Sequence, residues 1–262
     1  MDPAQPIAKK IEATKASYFE NASKTAKELL AKSVQPIVKP GSDTIAVLNT
    51  LSWSRTGLAV LTREQSKAGD GVVNDDKSPV PSQRLSTGEL VFLAGQIPAF
   101  GSRVFRVRPE VLVEESWPTA KAAGHVLDNS LVKLTLDPKT GDIAILVDKR
   151  TGHDFAHTNS PYALNSFRYL RGADAPSKAA GPADVKISIK EDGPVVASLL
   201  VESKAEGCRE LTREVRLIAG QPHVEILDIV DKIATRKKEG VHFSFAFNVP
   251  GATTRMDIPW GV

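Results

Sequence analysis

The hydrophobic period of this chain changes once, from about 3.6 residues to 2, and that change limits the folds open to it. Ile7, Ile11, Thr14, Tyr18, Ala22, Ala26, Leu29 and Ser33 recur at steps of three and four, which predicts one long helix over residues 7–35. The stripe is weakly apolar, with lysines and glutamates opposite, so the helix is expected to pack against something larger than itself. Pro36 and Pro40-Gly41 end the pattern. After Pro40 short alternating segments take over, punctuated by Gly, Pro and Asp. Ile45 and Val47, then "ELVFLA" and "RVFRVRP", predict a small antiparallel β-domain at 41–109. Within it, residues 65–82 (QSKAGDGVVNDDKSPVPS) read as a polar surface loop.

Residues 110–124 mix Pro, Ala and charge and read as a linker. A second β-region follows, with strands expected at 131–136, 143–148, 185–190, 195–202, 211–218, 224–230 and 241–249. In the last of these Val241, Phe243, Phe245, Phe247 and Val249 alternate with His242, Ser244, Ala246 and Asn248, which predicts a half-buried strand anchoring the core. The expected fold class is therefore mainly β: antiparallel β-sandwiches preceded by one long α-helix. The domains are residues 1–38 (a helix left from a bundle), 41–109 (a small sandwich) and 120–262 (the first part of a large sandwich). The chain stops within the apolar stretch "RMDIPWGV", which suggests a piece of a longer protein.

Charge excludes little but argues against one class. Lys and Arg number 34 against 31 Asp and Glu, a net charge of +3, so nucleic acid is not an expected partner. No apolar run approaches the roughly 20 residues that span a bilayer, and the N-terminus has no apolar signal core. The expectation is a soluble, cytoplasmic protein with no membrane partner. A lone cysteine, Cys208, can form no internal disulfide and reads as a small half-buried residue.

The stretch "LVKLTLDPKTGDIAILVDKRTGHD" (131–154) carries four aspartates, Asp137, Asp142, Asp148 and Asp154. Two apolar runs each end in a Thr-Gly corner, so the aspartates read as turn formers rather than calcium ligands. His153 and His157 are four apart but follow a β-corner, and His125, His223 and His242 are scattered, so no metal site is expected in this chain. Nucleophile-elbow, P-loop and dinucleotide-binding patterns are absent. The stretch at 160–176 interleaves Tyr162, Phe167 and Tyr169 with Asn165, Arg168 and Arg171. Aromatic faces with amide and guanidinium donors suit sugar rings; an amphipathic strand of mixed face is the plainer alternative.

Five stretches in one order resemble the family-38 glycoside hydrolases, the α-mannosidases: "VLNTLSWSR" (47–55), "DPKTGDIAILVDKRTG", "REVRLIAGQPHVEILDIVDK", "KEGVHFSFAFNVP" and "RMDIPWGV". The resemblance implies sandwiches of the galactose-mutarotase-like supersandwich type, with the helix as the last of a bundle. It implies that zinc and an aspartate nucleophile sit on an upstream barrel with no counterpart here. This chain would then hold no catalytic or metal residue and no cofactor of its own. The full-length enzyme would hydrolyse α-mannosides with retention, using zinc. The family's large sandwich can lend a side chain to the sugar pocket. In better-known members that side chain is a tyrosine, and the resemblance puts Asn165 near its place, with Arg168 and Tyr169 as further substrate-contact candidates. The alternatives are a stand-alone carbohydrate-binding module and a structural docking domain.

Overall fold

The structure, a computed structural model, describes residues 5–34, 43–111, 116–156 and 160–253. The closing stretch "RMDIPWGV", His157 and the prolines expected to end the helix lie outside these residues. Helix α1 (Pro6–Val34) forms where the 3.6-residue period predicts it. Its stripe nevertheless faces solvent: Ile7, Ile11, Tyr18 and Leu29 are 57%, 42%, 67% and 59% exposed. The larger surface it was expected to pack on is not among the described residues.

Strands β1 (Thr44–Leu48), β2 (Arg55–Leu61), β3 (Gly71–Asn74), β4 (Pro79–Val80), β5 (Ser82–Arg84), β6 (Leu90–Ile97) and β7 (Ser102–Arg108) make two facing antiparallel sheets. One has the order β1-β7-β3-β4 and the other β2-β6-β5. Phe92 and Phe105 meet between them with ring centroids 4.9 Å apart, and Val72, Val80, Leu90 and Val107 complete the core. The expected surface loop at 65–82 is thus corrected. It contributes β3, β4 and the start of β5, and Val72, Val73 and Val80 are buried. The apolar runs there are only two residues long, and the Gly and Asp turns around them mask the signal.

The "VLNTLSWSR" stretch owes its form to one side chain. Asn49 is buried, and its Nδ2 donates to the carbonyls of Trp53 (2.7 Å), Ile97 (3.2 Å) and Pro98 (3.1 Å). Its Oδ1 accepts from the Leu51 amide at 3.1 Å. A buried amide bonded on both ends ties the β1–β2 connection to the end of β6.

The second β-region comprises β8 (Lys121–Ala123), β9 (Val126–Asp128), β10 (Val132–Leu136), β11 (Ile143–Asp148), β12 (His153–Asp154), β13 (Leu164–Arg171), β14 (Ala183–Asp192), β15 (Val196–Lys204), β16 (Cys208–Ile218), β17 (Val224–Lys232) and β18 (Glu239–Phe245). A seven-stranded sheet runs β18-β13-β11-β10-β9-β8, with β12 beside β11, and faces a four-stranded meander β14-β15-β16-β17. Leu127, Leu134, Leu136 and Leu164 from the first meet Leu199, Val201, Val215 and Leu217 from the second, all at most 1% exposed. The fold class is as expected. Two details differ. The end of the expected linker forms β8. The phenylalanine-rich strand is an edge of its sheet rather than an anchor of the core: Phe245 and Phe247 are 46% and 53% exposed. Alternation identifies a strand's faces but not its place in the sheet. No described helix is long and apolar enough to cross a membrane.

The two β-regions are joined by Gln83 of β5. Its Oε1 accepts from the amides of Val195 (3.0 Å) and Val196 (2.8 Å), and its Nε2 donates to the Val196 carbonyl (3.1 Å). Gly193 lies against this amide, with no room for a Cβ. Glu191 accepts from the Ser86 amide at 3.0 Å, and Val91, Val195, Val196 and Ile218 form an apolar seam beside it. Replacing Gln83 with Leu strands two buried amides. An unsatisfied buried donor costs about 1–3 kcal/mol, so Gln83→Leu is expected to lower stability by roughly 2–4 kcal/mol in urea titration. A change below about 0.5 kcal/mol contradicts this role.

Candidate functional site

The candidate site is built on β13 and the two corners before it. At the first corner Asp137 Oδ1 accepts from the amides of Lys139 (2.7 Å) and Thr140 (3.0 Å), and the Gly141 amide donates to the Asp137 carbonyl at 2.8 Å. At the second, Asp148 Oδ1 accepts from the Arg150 amide at 2.9 Å and its side chain pairs with the Arg150 guanidinium at 2.8 Å. Asp154 Oδ1 accepts from the Leu146 and Ala156 amides. Three of the four aspartates are therefore turn formers, as their spacing predicts.

Asp142 is the exception and a correction. It is buried, and Oδ1 lies 2.9 Å from Nη1 of Arg213, which is 0% exposed. The same Nη1 donates to the Asn165 carbonyl at 2.9 Å, and Nη2 donates to the Thr140 carbonyl. The guanidinium of β16 thus crosses between the sheets and binds the hairpin corner to β13. Gly141 is required where it passes: φ is +70°, and a Cβ there would lie 2.6 Å from Nη2 and 2.5 Å from Val201. Arg213 sits in the inward series Leu211, Arg213, Val215, Leu217. A charge at an inward position of an alternating strand is a signal for a buried pair, and the sequence reading passed over it.

Asn165 is 0% exposed and adopts φ +57° where the β13–β18 register shifts between Leu164 and Ser166. A bulge residue in the left-handed region suits Asn better than most side chains. Its Nδ2 donates to Asp228 Oδ1 at 3.0 Å, while its Oδ1 and Arg213 Nε have no partner among the described residues. Burial pushes the Asp228 carboxyl up from its ordinary range, against the Asn165 hydrogen bond and the Arg213 charge, which hold it down. Asp142, Arg213, Asn165 and Asp228 form one polar layer within an apolar sandwich.

The other two candidates part company. Tyr169 is buried, packed with Phe167, Cys208 and Leu211 and covered by Gly207. Its hydroxyl donates to Glu239 Oε2 at 2.5 Å, and Glu239 pairs with Lys232 at 2.6 Å. The Glu239 hydrogen bond, followed by burial, pushes the phenol up to about 12. Arg168 alternates to the opposite face. It donates to the Pro161 carbonyl at 2.8 Å and lies 5.4 Å from the centroid of the Tyr162 ring. The structure therefore does not gather Asn165, Arg168 and Tyr169 on one surface.

Two of the histidines have structural partners. His153 Nε2 lies 2.7 Å from the Asn248 carbonyl, and its ring meets Phe155 edge-on. His223 lies 3.9 Å from Glu225. Burial pushes the Cys208 thiol up. Among the described residues no three His, Cys, Asp or Glu side chains are grouped to hold a metal ion.

The Asp228 shift has a pH consequence. Its folded carboxyl binds a proton more tightly than the unfolded one, so its contribution is complete below the ordinary value of 3.8 and is lost as pH rises through the raised pKa. Asp228→Asn lacks that loss. The stability of the variant minus that of the parent is expected to grow between pH 3.5 and pH 7 in urea titrations. A difference independent of pH contradicts the assignment.

The model of the glycosyl hydrolases family 38 C-terminal domain matches residues 127–262, slightly more than half of the chain. The match begins within β9 and contains the whole polar layer. The "VLNTLSWSR" stretch and the helix precede it. No curated protein matches the chain. With more than half its length matched, the chain belongs to glycosyl hydrolases family 38 and carries that family's C-terminal domain.

Proposed function

We propose that this chain serves an α-mannosidase as its non-catalytic β-sandwich part, dividing at residues 1–38, 41–109 and 120–262. The family membership supports a carbohydrate substrate. The catalytic aspartate and the zinc then belong to an upstream barrel, and the reaction there is retaining hydrolysis through a glycosyl-enzyme intermediate. The observation that carries the reading is the polar layer. Asp142 and Asp228, the carboxylates nearest Asn165, are engaged by Arg213 and Asn165 in holding β13 to its neighbours. Their chemistry is positional.

Of the three candidate contacts, we assign the sugar to Arg168 with the Tyr162 ring, and give Asn165 and Tyr169 the task of holding β13 in place. A guanidinium stacked on an aromatic face presents hydrogen-bond donors beside an apolar plane, which suits a pyranose. The docking-domain reading keeps one supporting observation, the exposed stripe of α1. The purified chain, with or without added zinc, is expected to release no product from an aryl α-mannoside. Titration with an α-mannoside is expected to shift the NMR signals of Tyr162 and Arg168, and Arg168→Ala to abolish those shifts. Turnover by the chain alone, or binding that Arg168→Ala leaves intact, contradicts the reading.

A further inference from the structure

The small sandwich presents two aromatic rings to solvent at one corner. Trp53, in the β1–β2 connection, is 60% exposed, and Phe100, in the β6–β7 connection, is 76% exposed. Both connections cross between the two sheets, at the end where Leu48 of β1 pairs with Ser102 of β7. We propose that this corner is a carbohydrate-binding platform, on which a neutral oligosaccharide lays its pyranose rings against Trp53 and Phe100. The platform is separate from the Arg168–Tyr162 contact on β13 and goes beyond it.

Three observations carry the proposal. The first is rigidity. Asn49 Nδ2 donates to carbonyls of both connections, Trp53 in one and Pro98 in the other. The Asn49 amide donates to the Gly101 carbonyl at 2.8 Å, and the Phe100 amide to the Leu51 carbonyl at 3.0 Å. The main chain beneath one ring is therefore fixed to the main chain beneath the other. A preformed surface binds without the entropy cost of ordering its loops.

The second is strain. The Gly101 amide donates to the Pro98 carbonyl at 3.2 Å, which closes a four-residue turn, and Phe100, its third residue, has φ +48°. A left-handed third residue is the type II pattern and favours glycine. A bulky side chain is strained there, and burial does not offset the strain, because the ring lies in solvent. Nor is phenylalanine needed for the bond to Leu51, which any residue but proline can make. Strain kept without a folding benefit points to a function for the side chain.

The third is an available donor beside the rings. A recess of about 200 Å³ lies at the same end, lined by Leu48, Asn49, Arg55, Gly57 and Ile97. Arg55, the first residue of β2, is exposed and makes no hydrogen bond or ion pair among the described residues. Ser52 and Ser54, on either side of Trp53, are exposed as well. An aromatic plane takes the C–H face of a pyranose, while a guanidinium and hydroxyls bond the groups on its rim. A purely apolar partner would cover the guanidinium without bonding it.

The experiment follows the Trp53 indole N–H and the Phe100 ring by NMR in the full chain, titrated with α-mannotriose and with cellotriose. Trp53→Ala identifies the indole signal. The expected result is a saturable shift at both Trp53 and Phe100 with at least one sugar. Phe100→Gly is expected to weaken that binding roughly fivefold or more, while its urea midpoint stays level or rises, since glycine relieves the left-handed turn. Silence at Trp53 and Phe100 with both sugars overturns the proposal, and does so even where Tyr162 and Arg168 respond, so the two sites are read apart. A Phe100→Gly chain that binds like the parent overturns it. A clear fall in that variant's midpoint does the same, because Phe100 then serves the fold. A Trp53 signal that responds to protein concentration and not to sugar assigns the corner to a second copy and also overturns it.

Discussion

A single buried cation organises the large sandwich. Arg213 is 0% exposed, and its guanidinium reaches a carboxylate at Asp142 and main-chain carbonyls at Thr140 and Asn165. A charge removed from water is tolerated only where hydrogen bonds and a counter-charge replace its hydration. Here the replacements come from the corner of one hairpin and the bulge of a third strand, so the two sheets are held in one alignment. The left-handed conformations of Gly141 and Asn165 follow from this. One makes room for the guanidinium, and the other turns the main chain so that its carbonyl meets it.

That arrangement bears on function by assigning the polar groups. A layer containing two carboxylates, a guanidinium and an amide resembles a reactive centre when read as composition. Both carboxylates are bonded within the layer, Asp142 to Arg213 and Asp228 to Asn165, and Asp228 is raised chiefly by burial rather than by a paired acid. Perturbed titration is also common in structural ion networks. On the opposite face of β13, outside this layer, Arg168 lies by Tyr162. The Gln83 clamp on Val195 and Val196 fixes the small sandwich to the same framework.

Much of the fold was legible because the local signals agree with one another. The hairpin of β10 and β11 combines alternation with Pro, Gly and Asp at the corner, and β15 to β17 keep the same parity over long stretches. Strand β3 was not legible, since Val72-Val73 between turn residues offers no period to measure. The place of β18 was misjudged for a different reason: five alternating apolar residues describe a face, whereas exposure depends on which strands lie alongside. For the candidate site, the residue types at Asn165, Arg168 and Tyr169 were readable but their faces were not. A one-residue bulge at Asn165 changes which neighbours meet. The partners of Arg213 lie 71 and 48 residues away, beyond any local pattern.

The central claim is that Arg213 and Asp142 act as a coupled pair that aligns the sheets, and a double-mutant cycle tests it most directly. Removing one partner of a buried pair costs about 3–5 kcal/mol, so Arg213→Met and Asp142→Leu are each expected to lose stability on that scale. The double variant is expected to lose less than their sum, with a coupling of roughly 1–3 kcal/mol. Additive losses, with coupling near zero, would contradict the account.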